Sequence, residues 1–178
     1  MKFHLSRIKR HPLAAAVAAA LALGGGLVAS NGYAGTQTAN LQVNATISPS
    51  CTITTAAVAF GTYVSGAATP AVDGQGSVTV ICTIGSTAAI ALGQGANPAP
   101  SSKDDAPLRQ MADGSNRLGY FLYQDPQRKN VWGNTAATDV ATSGTGAAVV
   151  HTVYGTITAN QNKPSGTYID TVVATVTF

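Results

Sequence analysis

The sequence predicts an all-β fold, an antiparallel sandwich, from three features: its composition beyond residue 34, alternation at period two, and the lack of any amphipathic helical stretch. Glycine, threonine, valine, alanine and serine dominate, glutamate is missing altogether, and leucine is sparse after the opening segment. That composition suits strands and turns. Alternating segments bounded by Gly, Pro, Asn or Asp are read at residues 39–47, 52–60, 77–84, 88–92, 118–123, 148–158 and 166–178. About six to seven such strands without a helical period fit two packed sheets of immunoglobulin-like type, and the same pattern also suits a small barrel.

Residues 1–34 read as a secretory signal peptide. A basic start (Lys2, Arg7, Lys9, Arg10) precedes an apolar run from Leu13 to Ala29, and Gly32-Tyr33-Ala34 places small residues where a signal peptidase cuts. Gly35 then becomes the new N-terminus. A membrane anchor fits less well, because the run is shorter than the ~20 residues a spanning helix needs and is diluted by Gly24, Gly25 and Gly26. Four of the ten Lys and Arg lie in this leader and none of the seven Asp does, so the exported part carries six cations against seven anions, a net charge of −1. The basic character of the whole chain belongs to the leader. Nucleic acid is therefore not an expected partner, since binding it requires cations clustered on the folded domain.

The remaining residues, 35–178, suit one domain. Cys51 and Cys82 are the only cysteines, and in an oxidising compartment they are expected to pair. A closed loop of this length contributes about 3–4 kcal/mol in the chain-entropy account. Neither metal nor redox chemistry is indicated, because no C-x-x-C spacing accompanies them. Val78 and Val80, Phe121, Val149 and Val153, and Val172, Val176 and Phe178 are the expected core positions. The stretch 93–115, with three prolines and Asp104-Asp105, is an exposed connection with a short strand near Leu108, and 133–146 is a second polar connection. Trp132, the sole tryptophan, is expected to anchor the core or a sheet edge.

Two terminal segments carry the functional reading. In residues 39–47, Ala39, Leu41, Val43, Ala45 and Ile47 share one face and Asn40, Gln42, Asn44 and Thr46 the other. An ordinary secreted sandwich would use this as its own first strand. At the other end, Tyr168, Val172, Ala174, Val176 and Phe178 line one side of residues 166–178, after which an immunoglobulin-like topology commonly needs a further strand. Without that strand a groove and a sheet edge stay open. The N-terminal strand of a neighbouring copy can fill it by β-augmentation, and a head-to-tail contact of this kind propagates into a filament.

The chain resembles the spore coat protein U domain family, which includes pilins of the archaic chaperone-usher pathway (Csu-type). The resemblance rests on the alternating segment leading to Cys51, on Phe60-Gly61, on Ser77-Val78-Thr79-Val80-Ile81-Cys82, and on Leu118-Gly119-Tyr120-Phe121-Leu122-Tyr123. Tyr154-Gly155-Thr156-Ile157 and Pro164-Ser165-Gly166-Thr167-Tyr168-Ile169-Asp170-Thr171-Val172 complete it. The resemblance implies an incomplete immunoglobulin-like sandwich completed by a donor strand from a neighbouring subunit. It implies a periplasmic pilus chaperone, an outer-membrane usher and neighbouring pilin subunits, in a homo- or hetero-polymer, as partners. The product the resemblance implies is a surface pilus supporting attachment and biofilm formation. Residues 35–47 take the donor role, residues 48–178 form the pilin domain, Cys51 and Cys82 match the family disulfide, and Val172, Val176 and Phe178 are the expected acceptor-groove residues. No catalytic residue, metal ligand or cofactor is implied.

Two other readings compete. For an enzyme the residues offer little: His151, the only histidine beyond the leader, lies within a strand between Val149 and Val153, and no G-x-S-x-G, H-E-x-x-H or phosphate loop occurs. Asp104-Asp105 lacks a partner carboxylate, and Asp113-Gly114-Ser115-Asn116 lacks a full calcium ligand set. The second is a self-contained coat or surface-binding module that completes the same fold within one chain.

Overall fold

The computed structural model describes residues 34–178, so the expected leader lies outside the described residues except for Ala34. The chain divides into two units, Met1–Asn44 and Ala45–Phe178. The described residues of the first, 34–44, form neither helix nor strand and are exposed, with the Gln42 amide donating to Asn44 Oδ1 at 3.3 Å. The alternating segment 39–47, expected as a strand, is therefore not one in the single chain. Among the described residues, the sheet pairings do not include it.

The second unit holds eight strands: β1 (Cys51–Ala59), β2 (Val72–Cys82), β3 (Thr87–Leu92), β4 (Arg109–Asp113), β5 (Asn116–Tyr123), β6 (Val140–Ser143), β7 (Ala148–Ile157) and β8 (Ala174–Thr177). They form a five-stranded sheet in the order β1-β2-β7-β5-β4 and a three-stranded sheet in the order β6-β3-β8. Every pairing is antiparallel. The inner faces meet in a core of Val78, Val80, Ala88, Ile90, Leu92, Leu118, Tyr120, Leu122, Trp132, Val153 and Ile157.

The strands at 52–60, 77–84, 88–92, 118–123 and 148–158 are where alternation placed them, with shifted ends. β2 begins five residues before the expected start, because Gly74 and Gly76, read as turn residues, lie inside it. Their missing side chains make room: a Cβ on Gly74 would come 2.8 Å from the Phe60 ring, and one on Gly76 would come 2.8 Å from Val58. β6 falls inside the polar stretch 133–146 and carries only Val140 and Thr142 as partly buried residues, too few to show a pattern. Residues 166–173 are not part of β8. They cross from the larger sheet to the smaller, pairing with the larger one's backbone at the isolated bridge Ala112↔Ile169.

Phe121 does not join the core. Leu118, Tyr120 and Leu122 face inward, and a one-residue step along a strand turns Phe121 to the opposite face beside Tyr123, with ring centroids 6.2 Å apart. Phe178 is likewise 54% exposed rather than core, whereas Val149, Val172 and Val176 pack half-buried against the core.

Cys51 and Cys82 are opposite one another in the β1–β2 pair and are joined as a disulfide. Beyond them β1 follows β2 regularly to Ala56↔Ser77, then bulges so that Ala59 opposes Gln75. The bulge directs Val58 and Phe60 inward over Gly155. Phe60 meets Tyr120 edge to face, with centroids 5.9 Å apart. Gly155→Val is expected to destabilise the domain by about 1–3 kcal/mol, since the added carbons meet the Phe60 ring and Val58 head on. A lower urea midpoint with an unchanged slope checks this.

Candidate functional site: an open groove between the sheets

One side of the sandwich is uncovered. There β1 ends its sheet and β8 ends the other, and neither has a second strand neighbour. Between them lies a cavity of about 410 Å³. Its floor is apolar, made by Val78, Tyr120, Leu122 and Val153, and its walls are Thr55–Val58 on one side and Tyr168–Val172 with Ala174 on the other. Thr55, Ala56 and Ala57 are exposed along the rim. A second cavity of about 470 Å³, lined by Tyr63, Leu118, Ile157 and residues 163–166, shares Val58, Phe60, Met111 and Tyr168 with the first. The two run on into one another as a trough.

Polar chemistry in the trough converges on Asp170. Its carboxylate accepts from the Tyr120 hydroxyl at 2.6 Å and from the Ala96 amide at 2.8 Å. Gly95 at φ +86° lets the loop approach so closely that a Cβ there would collide with the carboxylate. Burial, reinforced by the bond to Asp170, raises the Tyr120 pKa, so its hydroxyl stays protonated as a donor.

Behind this pair sits Arg109, 1% exposed. Its guanidinium donates to the carbonyls of Gly93 (2.8 Å), Leu92 (2.8 Å) and Trp132 (2.7 Å), and its remaining terminal nitrogen, Nη1, has no protein partner. Burial pushes its pKa down to about 10, and the nearby Tyr120 and Asp170 oppose that shift, so the side chain remains cationic at neutral pH. Trp132 completes this end of the fold, its indole N–H donating to Ile90 O at 2.8 Å and its amide to Leu122 O at 2.9 Å. One residue thus bonds both sheets.

Of the residues expected at the acceptor groove, Val172 lines the cavity, Val176 packs beyond it along β8, and Phe178 is largely exposed at the chain's end. The donor residues Leu41, Val43 and Ile47 are 88%, 83% and 85% exposed, and Ala39 and Ala45 are exposed too. Sequence reasoning placed Tyr168 on the groove-facing side of its segment but missed the β1 wall, Phe60, Met111 and Asp170 as groove residues. The signals were present in Phe60-Gly61 and Tyr168-Ile169-Asp170, but alternation alone does not distinguish a groove wall from a core face. His151 is packed in its strand, with Nε2 3.1 Å from Thr142 Oγ1 across the two sheets, and burial lowers its pKa. Among the described residues, no three His, Cys, Asp or Glu side chains gather as a metal site.

Comparison with known proteins fits this architecture. A chain of the CsuC–CsuE chaperone–tip adhesion subunit pre-assembly complex, from the archaic chaperone-usher Csu pili of Acinetobacter baumannii, superposes with a TM-score of 0.53 at 26% identity. The superposition covers 75% of the present chain and 40% of that one, so the present chain spans under half of its length. Protein U of Myxococcus xanthus is 45% identical over 173 residues, covering 92% of this chain and 97% of the relative. The family model for the Spore Coat Protein U domain matches residues 37–175, nearly all of the described sequence, and the chain belongs to the spore coat protein U domain family.

Proposed function

We propose that the chain is a structural subunit of a chaperone-usher surface pilus, assembled by donor-strand exchange and supporting surface attachment and biofilm formation. One observation carries the reading: an apolar trough lies open between the unpartnered edges of β1 and β8, in a chain whose N-terminal segment alternates apolar and polar residues without a strand partner. Residues 35–47 are the donor, with Ala39, Leu41, Val43, Ala45 and Ile47 entering the trough of the next subunit. Residues 48–178 are the acceptor domain. Main-chain hydrogen bonds to the edges of β1 and β8 give affinity, and the alternate apolar side chains fill the trough. A periplasmic chaperone covers the same edges before assembly, and an outer-membrane usher catalyses the exchange. Likeness to a chain of a chaperone–subunit complex from archaic pili supports these partners. Export follows from the leader read in residues 1–34. The chemistry is association, and no catalytic residue is assigned.

The match to the Spore Coat Protein U domain over residues 37–175 favours a second reading, a coat component that fills its trough with its own N-terminal segment. Expression in a periplasm with and without the cognate chaperone and usher separates the two. The pilin reading expects a ladder of polymers on unheated denaturing gels that collapses on heating, and loss of that ladder when residues 35–47 are deleted. A single soluble monomer under every condition establishes the self-contained coat module instead.

A further inference from the structure

Residues 165–173 form a strap that leaves the larger sheet and closes one wall of the trough before β8 begins. Its hold on the rest of the domain is sparse. Ile169 exchanges two backbone bonds with Ala112, at 2.8 and 3.0 Å, and Val173 O accepts from Gly93 N at 2.9 Å. Between these, the Asp170 carboxylate takes the Tyr120 hydroxyl and the Ala96 amide. Ile169 and Val173 are 64% and 67% exposed, so the strap's apolar hold rests on Tyr168 and Val172, which pack half-buried against the core. A segment held by a few hydrogen bonds and two half-buried side chains, outside any regular strand, opens locally at a free energy below that of global unfolding. The latch also has a telling position, because Tyr120 and Asp170 both line the cavity that an incoming strand has to occupy.

We propose that the strap is a movable wall of the open acceptor trough, a gate held in place by the Tyr120–Asp170 hydrogen bond, and that its outward movement sets the rate at which a strand is seated. The proposal rests on the acceptor-groove reading above. An arriving strand brings backbone N–H groups into the trough, and these can replace the Tyr120 hydroxyl on the Asp170 carboxylate, so the latch is released as the strand is seated. Gly95 keeps the carboxylate's seat clear, and the buried Arg109 cation favours an anion at this place.

Tyr120→Phe isolates the latch, since it keeps the ring packed against Phe60 and removes only the hydroxyl. Hydrogen exchange of residues 165–173 and uptake of a labelled synthetic peptide of residues 36–47 are measured on the exported chain and on the variant. Losing one hydrogen bond to a charged group is expected to speed both by about tenfold. Asp170→Asn, which preserves shape while weakening the same bond, is expected to act in the same direction and serves should Tyr120→Phe fail to fold. Unchanged exchange in the strap overturns the proposal, as does faster exchange with unchanged or slower uptake. Failure of the wild-type chain to take up the peptide overturns the acceptor reading and the gate together. Uptake by the wild type at a rate that Tyr120→Phe leaves unaltered overturns the gate alone.

Discussion

Trp132→Ala is expected to destabilise the domain by about 3–5 kcal/mol, a large part of the 5–15 kcal/mol available to a domain of this size. The side chain is fully buried, so its removal leaves a cavity within the core. It also strips the Ile90 carbonyl of its indole donor. Trp132→Phe separates the two contributions: the ring is largely kept and a buried carbonyl is left unpaired, at about 1–3 kcal/mol. Because the Trp132 carbonyl is itself bonded by Arg109, the effects of changing these two residues should not add. Denaturant titration followed by far-ultraviolet circular dichroism checks the ranking, with Trp132→Ala far below Trp132→Phe and wild type highest. Equal midpoints for the two variants would mean that the hydrogen bond rather than the volume dominates. The consequence reaches the trough, since Trp132 and Arg109 fix the end of β3, and β3 is the strand on which β8 hangs.

Most of the sheet framework is legible in the sequence because a half-buried strand writes its two faces alternately along the chain. Val78 and Val80 in β2 and Val153 in β7 are buried as expected, and Ile90 and Leu92 in β3 and Ile157 in β7 follow the same two-residue period. Where a position is set by a distant partner, the pattern fails. Gly74 and Gly76 look like turn residues and are strand residues, because the space above them belongs to Val58 and Phe60, which precede them by more than a dozen positions. Phe121 looks like core from its size, yet its neighbours Tyr120 and Leu122 hold the inward phase. Residues 166–173 read as a strand continuous with β8, but Asp170 is drawn to Tyr120 and Ala96, fifty and seventy-four positions earlier. The trough is legible only as an expectation that something is missing. Its walls join β1 to the strap, and no local pattern records that juxtaposition.

Replacing Leu41 and Val43 together with aspartate is expected to abolish the polymer ladder while leaving the subunit as stable as wild type. Both side chains are more than four-fifths exposed in the single chain, so the substitution removes no burial there. In a neighbour's trough the same two side chains would each contribute about 1.5–3 kcal/mol by leaving water. An aspartate in their place would have to lose its hydration against Val78, Leu122 and Val153 or be protonated, at a cost of several kcal/mol. Four substitution-scale effects of one sign shift the association constant by many orders of magnitude, as each 1.4 kcal/mol is a factor of ten. The matched control changes Asn40 and Gln42 to aspartate and glutamate. These residues belong to the opposite face of the alternation and would look out of the trough, so the same added charge should leave the ladder in place. Heat-sensitive ladders and thermal melting are read on both variants. Polymers from the Leu41 and Val43 variant would rule out a donor role for this face, and equal loss in both variants would point to net charge rather than strand insertion. Loss confined to the apolar face, with unchanged melting of the subunit, is the result that only a strand donated to another molecule accounts for.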